Sequence, residues 1–250
     1  MKNPLHKRLP RQLKSEFGKY VVIFLLLIGS IGFISGFLVA ANSIKKTYDN
    51  SFSVYNIENG NFEMLTPLSD DAINDIENEI SIYNNYYIEE DTDTDLNDKY
   101  DSTLRIFKDR KKVNKVCLME GKMPYDKDEI AIDRMYANNN NVEVGDYIKV
   151  SGRKLKVTGF VALSDYSALF SNNGDLMFDA VKFGVAIMTD EGYNRFGDEH
   201  KFFSYSWKYD KEPSTEKKEK KVSDKLLEVI ASKGIVKNFI PRYTNNAINF

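Results

Sequence analysis

The segment YVVIFLLLIGSIGFISGFLVAA, Tyr20–Ala41, decides the architecture of this 250-residue chain. It has no charged residue, and a helix of 22 residues extends about 33 Å, enough to cross the hydrocarbon core of a bilayer. Six Lys and Arg residues precede it, against one acid, Glu16. Because basic residues favour the cytoplasmic side, the sequence predicts one transmembrane helix over residues 20–41, a cytoplasmic N-terminus and an extracytoplasmic main domain.

A cleavable signal peptide is the competing interpretation of this segment. Val39, Ala40 and Ala41 would suit a cleavage site. Signal peptides, however, have an apolar region of roughly 7–15 residues, and the charged leader of this chain is long. The sequence therefore favours an uncleaved membrane anchor.

Small residues recur on one face of the predicted span. Gly29, Gly32, Gly36 and Ala40 lie three or four positions apart, which places them together on a helix. Such faces let a second helix approach closely in the membrane. We interpret them as a helix-packing face, although glycine is also generally common in membrane helices.

The basic leader, residues 1–19, has an apolar repeat of its own. Leu9, Leu13 and Phe17 follow at four-residue spacing, and most basic residues fall elsewhere around the same helix. This pattern predicts an amphipathic helix lying on the membrane surface. A disordered basic tail is the alternative interpretation.

The charge of the outer domain excludes one class of partner. Residues 42–250 carry 29 of the 35 basic and 36 of the 37 acidic side chains. Nucleic acid is therefore not expected as a partner, because phosphate backbones need a basic footprint. Cys117 is the single cysteine, so no intrachain disulfide can form.

Two β-α-β units frame the outer domain. The first has strands over 61–65 and 83–88 and a helix beginning after Ser69, and the second has strands over 202–207 and 235–240 and a helix over 214–233. The middle predicts strands over 104–107, 113–119, 129–132, 147–150, 155–160, 176–183 and 184–188, with a short helix over 134–138. The predicted fold class is α+β: a split lobe over 42–115 and 201–245, and an inserted β-rich lobe over 116–200.

No catalytic, cofactor-binding or metal-binding residue is expected. The chain lacks a phosphate-binding G-x-x-x-x-G-K-[ST] motif, and its two histidines, His6 and His200, are far apart. Asp91, Asp93 and Asp95 imitate the start of a calcium loop. The later positions that need glycine and glutamate hold other residues, so a solvated acidic loop is the better interpretation.

Several short motifs follow one another in an order that resembles a known family. The motifs are Leu9-Pro10-Arg11, Glu120-Gly121-Lys122-Met123-Pro124, Glu129-Ile130-Ala131-Ile132, Val144-Gly145-Asp146, Val157-Thr158-Gly159-Phe160, Ser164-Asp165-Tyr166 and Leu176-Met177-Phe178-Asp179. Their order after a first membrane span is similar to that in the FtsX-like and MacB-like ABC transporter permeases of the Gram-positive type.

The resemblance implies a function for the chain. It implies a permease subunit that pairs with a second protomer and with a cytoplasmic ATP-binding subunit. ATP-driven closure would be passed up the first helix to the outer domain, a mechanism called mechanotransmission, in export, lipid or lipoprotein handling, or resistance to antimicrobial peptides. Such permeases have further spans, so residues 246–250 are expected to lead into a second one.

Two other classes of protein stay open from the sequence. One is a single-span, membrane-anchored binding or sensor module. The other is a secreted soluble binding protein, which would need cleavage near Asn42.

Overall fold

The structure, a computed structural model, describes residues 11, 14–77 and 80–249. Its helices are α1 (Phe17–Val54), α2 (Asp70–Ile76), α3 (Arg134–Asn139), α4 (Asp190–Asn194), α5 (Glu216–Ala231) and α6 (Asn246–Asn249). Its strands are β1 (Gly60–Met64), β2 (Ile80–Asn84), β3 (Tyr87–Asp93), β4 (Ser102–Lys108), β5 (Cys117–Gly121), β6 (Glu129–Asp133), β7 (Tyr147–Val150), β8 (Arg153–Ala162), β9 (Phe183–Met188), β10 (Lys201–Tyr209) and β11 (Val236–Pro241). Residues 1–50 and residues 51–250 form two compact units.

Helix α1 contains the whole uncharged segment and continues beyond it. Its 38 residues extend about 57 Å, and none of them is buried. It is the one helix in the described part of the chain that is long and apolar enough to cross a membrane. A helix that is apolar on every face and exposed throughout is typical of a membrane span.

The first sheet of the outer domain is built from the two β-α-β units. Its strand order is β11-β1-β10-β2, with every neighbouring pair antiparallel. Phe62 of β1 lies opposite Tyr205 and Phe239 of its two neighbours. Side chains from α2 and α5, Ile76 and Ile230 among them, complete a buried core on this sheet.

The remaining strands pair in a closed circuit. β3, β4, β9, β6, β8 and β7 follow one another, and β7 then pairs with β3. A sheet that closes on itself is a β-barrel, and this one is filled by buried aliphatic side chains such as Ile106, Ile132 and Val185. β5 adds to the barrel by pairing with β8.

Strand β10 belongs to both parts. Its residues 205–209 pair with β2, and its first residues, 201 and 202, pair with β3. The split sheet and the barrel therefore share one continuous strand.

The predicted fold class, an N-terminal apolar helix followed by an α+β domain, is confirmed. Strands β1, β10 and β11 and helix α5 lie where the sequence predicts them, and Ser69 caps α2 by accepting from the backbone N–H of Ala72. The predicted β7–β8 hairpin is present, and its turn residues Ser151 and Gly152 both have positive φ. The exact division into lobes stays a prediction; strand pairing places β3 and β4 in the barrel.

Three predicted strands differ from the structure. Residues 83–88 are not one strand, because β2 ends at Asn84 and β3 begins at Tyr87. In the range 113–119 the strand starts only at Cys117, since Asn114 has a positive φ of 49°. The segment 176–182 forms no strand: Leu176 is 97% exposed, whereas Ala180 is buried in the core and Phe178 packs against it.

Candidate functional site

The end of α1 is closed by a hydrogen-bonded cap. Asn56 has a positive φ of 48°, and the N–H of Ile57 donates to the carbonyl of Phe52 at 2.9 Å. The N–H of Asn56 donates to the carbonyl of Ser53 at 3.3 Å. This is a Schellman motif, in which asparagine supplies the left-handed residue. We call residues 52–59 the junction segment.

The junction segment is hydrogen-bonded to the loop before β5. The carbonyl of Tyr55 accepts from the N–H of Lys115 at 2.8 Å, and the carbonyl of Asn56 accepts from the N–H of Asn114 at 3.1 Å. The side chain of Asn56 donates to the carbonyl of Lys112 at 2.8 Å. The Tyr55 hydroxyl lies 2.8 Å from the Sγ of Cys117, so the single thiol has a structural partner.

The other side of the junction segment contacts β10 and the end of β11. Lys208 Nζ donates to the carbonyl of Ile57 at 2.9 Å, and the N–H of Arg242 donates to the carbonyl of Asn59 at 2.8 Å. The Arg242 guanidinium also lies 5.4 Å from the ring centre of Phe52. Burial, followed by the charge of Arg242, lowers the pKa of Lys208. Backbone and side-chain contacts thus hold the segment from two directions.

Glu58 is the centre of a buried polar cluster. Asn114 Nδ2 donates to one carboxylate oxygen at 2.6 Å, Ser206 donates to the same oxygen at 2.5 Å, and Asn61 donates to the other at 2.6 Å. The Oδ1 of Asn114 accepts from the backbone N–H of Glu58 at 2.9 Å. Burial, and then the nearby charge of Asp165, raise the pKa of Glu58 in spite of these hydrogen bonds.

A polar cavity of about 300 Å³ adjoins this cluster. Its wall contains charged side chains from both sheets, several of them in ion pairs. Arg105 pairs with Glu89 at 2.5 Å, and Lys237 pairs with Glu63 at 2.6 Å. Such a cavity can hold water or a small polar molecule.

One further ion pair beside the cavity is almost completely buried. Arg110 binds both carboxylate oxygens of Asp165, at 2.6 and 2.9 Å, and both side chains are less than one-tenth exposed. Removing one partner of such a pair would leave the other charge buried and uncompensated. We assign the pair to the stability of the domain.

The acidic loop has a structural explanation. Asp93 is fully buried, and its carboxylate accepts from the backbone N–H groups of Asn97 and Asp98 at 3.2 and 2.7 Å. Burial alone would raise its pKa, but these N–H donors act in the opposite direction, and the net shift is downward. Asp91 and Asp95 are exposed. Within residues 14–77 and 80–249, no three acidic, histidine or cysteine side chains converge as a metal site.

The residues of the predicted helix-packing face and of the predicted membrane-surface helix are all remote in sequence from the residues that line the cavity. A Cβ added to Gly29, Gly32 or Gly36 would meet no atom within 4 Å, and Ala40 is exposed. Phe17 is the first residue of α1. Leu9 and Leu13 lie outside the described residues.

The junction segment escaped prediction. Apart from Asn61 and residues of α1, its hydrogen-bond partners outside the segment are 56 to 184 positions away, so no local pattern reveals them. The one local signal was Asn56, a residue type that often ends helices in the left-handed conformation.

No protein-family model matches the chain, and no curated protein matches it. Solved structures match 69–72% of the chain at 11–12% identity. The extracellular domain of the noncanonic ABC-type transporter YknZ from Gram-positive bacteria is 12% identical, with a TM-score of 0.38, over 69% of this chain and 93% of that one. The periplasmic region of MacB from Actinobacillus actinomycetemcomitans is 12% identical, with a TM-score of 0.42, over 72% and 87%.

A third similar structure is a domain of a protein described as a permease from Porphyromonas gingivalis. It is 11% identical, with a TM-score of 0.34, over 72% of this chain and 86% of that one.

Proposed function

We propose that this chain is the first membrane span and the extracytoplasmic domain of an ABC transporter permease. Its N-terminus lies in the cytoplasm, where the permease pairs with an ATP-binding subunit, and a second permease protomer completes the transporter. The order of motifs after the first span supports this proposal. Export, lipid or lipoprotein handling, and resistance to antimicrobial peptides are the activities to test.

The junction segment is the observation that carries the proposal. A simple membrane anchor needs only to retain its domain, and a flexible linker after the span would suffice. Here α1 runs without interruption to Val54 and is followed at once by residues bonded to β10 and to the loop before β5. A stiff helix that ends in a fixed contact can transmit displacement, because packed elements move as units.

Affinity purification tests the partnership. The protein, tagged at its native gene and extracted in a mild non-ionic detergent, should retain an ATP-binding subunit in stoichiometric amount. Recovery should persist at a salt concentration that removes loosely bound cytoplasmic proteins. A protein that is solitary under every extraction condition would refute the proposal.

A membrane-anchored binding or sensor module is the second candidate function. The polar cavity favours it, because its paired charges and amide groups could orient a small polar molecule. This candidate predicts a solitary protein in the same purification. It also predicts that a small polar ligand binds in the cavity. When this ligand is bound, added salt should disrupt the ion pair of Arg105 and Glu89 less than in the free protein.

A further inference from the structure

A second groove, of about 670 Å³, lies between the loop after β4 and residues of β2 and β10. Six charged residues line it, and five of them are basic: Lys108, Arg110, Lys111, Lys112 and Lys201, against Asp109. Residues 42–250 carry more acids than bases. The basic lining is therefore a local feature that general composition does not explain.

Two of the five cations have no carboxylate partner. Arg110 is bound to Asp165, Lys201 is bound to Asp198, and Lys111 Nζ lies 3.9 Å from a carboxylate oxygen of Asp109. Among the residues that the structure describes, no carboxylate oxygen lies within 4 Å of the Nζ of Lys108 or Lys112. The Nζ of Lys108 instead lies 5.1 Å from the ring centre of Tyr193.

Tyr193 supplies the second observation. It lines the same groove, its side chain is 1% exposed, and its hydroxyl has no hydrogen-bond partner within the described part of the chain. A buried hydroxyl without a partner is costly, and such groups in native proteins call for an explanation. Burial, and then the charge of Asp198, raise the pKa of Tyr193, so this hydroxyl stays protonated and able to donate at neutral pH.

We propose that this groove binds a phosphate group carried by a larger molecule. Lys108 and Lys112 neutralise the phosphate charge, since lysine acts as a compact cation for phosphate, and the Tyr193 hydroxyl donates a hydrogen bond to it. The groove is much larger than one phosphate ion, and the rings of Tyr83 and Tyr86 provide an apolar wall for the attached group. That group belongs either to a soluble phosphomonoester or to a phospholipid headgroup.

Binding measurements on the full chain in non-ionic detergent test the site. One arm titrates glycerol 1-phosphate and the other titrates dihexanoyl phosphatidylglycerol, with dihexanoyl phosphatidylcholine as the zwitterionic reference. The variant Lys108→Gln/Lys112→Gln should raise the Kd of the bound probe by about tenfold or more, because two charge-assisted contacts are lost. Lys217→Gln/Lys221→Gln, the same change of charge on the exposed face of α5, should leave the Kd unchanged.

Tyr193→Phe separates a ligand contact from a structural role. The hydroxyl makes no hydrogen bond in the described structure, so this variant should keep or raise the melting temperature. It should also raise the Kd of the bound probe by about three- to tenfold, because one hydrogen bond to the phosphate is lost. Saturable binding of either probe with these losses supports the proposal, and the probe that binds tighter identifies the source of the phosphate. Absence of binding by both probes, or equal affinities in groove and control variants, would overturn it.

Discussion

Asn114 links the junction segment to the buried cluster. Its side chain bonds both the carboxylate and the backbone N–H of Glu58, it is fully buried, and its φ is 49°. Asn114→Ala should lower the free energy of unfolding by about 2–4 kcal/mol, because buried polar groups lose their partners. Asn141→Ala is a matched control: Asn141 has a similar φ, 54°, but is exposed.

Urea denaturation of the full chain in detergent measures both variants. Asn141→Ala should cost less than about 1 kcal/mol, since only backbone strain is added. Equal losses in the two variants would show that backbone strain, and not the Glu58 cluster, accounts for the effect of Asn114→Ala.

Glu58 gives the stability of the domain a defined pH dependence. Its folded-state pKa is raised above the ordinary value of 4.5, first by burial and then by Asp165. The folded state therefore holds a proton that the unfolded state releases, and this contribution to stability falls as pH rises from about 4.5 to the raised pKa. Glu58→Gln removes the titration, so relative to wild type its stability should rise through this window.

The measurement is the difference in free energy of unfolding between the two proteins from pH 4 to pH 8. Because one proton is involved, this difference cannot change by more than about 1.4 kcal/mol per pH unit. Glu228→Gln, an exposed change on α5, is the control. If this difference did not change with pH for Glu58→Gln, the pKa of Glu58 in the folded wild-type protein would not be raised.

Single residues of the site could be predicted only in part. The sequence interprets Asp91, Asp93 and Asp95 as a solvated acidic loop, and it does not show that Asp93 is buried. Its burial depends on backbone donors four and five residues later, which adopt their positions through two left-handed residues, Leu96 and Asp98. Residue types alone do not specify such a turn.

Strand β1 depends on a glycine at its first position. A Cβ on Gly60 would lie 2.2 Å from the ring of Trp207 and 2.8 Å from the carbonyl oxygen of Ile240. Both atoms belong to neighbouring strands of a packed sheet and cannot move aside cheaply. Gly60→Ala should therefore destabilise the protein by about 1–3 kcal/mol or more.

Gly174→Ala is the matched control for β1. A Cβ at that position would meet no atom within 4 Å. Its melting temperature should be equal to or above that of wild type, whereas Gly60→Ala should melt several degrees lower. Equal melting temperatures would contradict the close packing of β1 between β10 and β11.

The small-residue face of α1 makes a prediction about association. Gly32→Leu/Gly36→Leu would fill the face on which a second helix is proposed to pack. Energy transfer between labelled chains in phosphatidylcholine vesicles should fall to the background level in this variant. Ser30→Leu, which places one leucine on another side of the helix, should leave the energy transfer intact, and equal losses in both variants would exclude a specific face.

The sequence predicts helices and strands best where one periodic pattern is bounded by residues that typically begin or end such elements. Strand β1 alternates along its length, β10 alternates aromatic and serine residues over 203–207, β11 ends at Pro241, and α5 has a clear apolar stripe. The apolar residues of 176–182 resemble a strand pattern, although this segment is a loop held by hydrogen bonds from two backbone N–H groups to Asp179, with Ala180 buried. Barrel closure through β7 could not be predicted, because it depends on pairing between strands more than 50 residues apart.

At the scale of the whole molecule, α1 contains the predicted membrane span, and residues 55–59, which follow it, are hydrogen-bonded within the α+β domain. The domain contains no group of residues, within the described ranges, that would assemble a metal centre, and the chain has no phosphate-binding motif of the P-loop type. Under the proposed function, ATP hydrolysis by the partner subunit supplies the energy for displacement of this domain. A domain held by a stiff helix should respond to ATP bound on the opposite side of the membrane.

Electron paramagnetic resonance on the purified transporter tests this claim most directly. With Cys117→Ser and a spin label at Lys217→Cys, the distance between the two outer domains should change when ATP is added. Four glycines inserted after Asn50 should abolish the change while the ATP-binding subunit stays bound, and four alanines at the same place should preserve it, because alanine continues a helix and glycine does not. A distance that ignores ATP, or a change that survives the glycine insertion, would contradict the account.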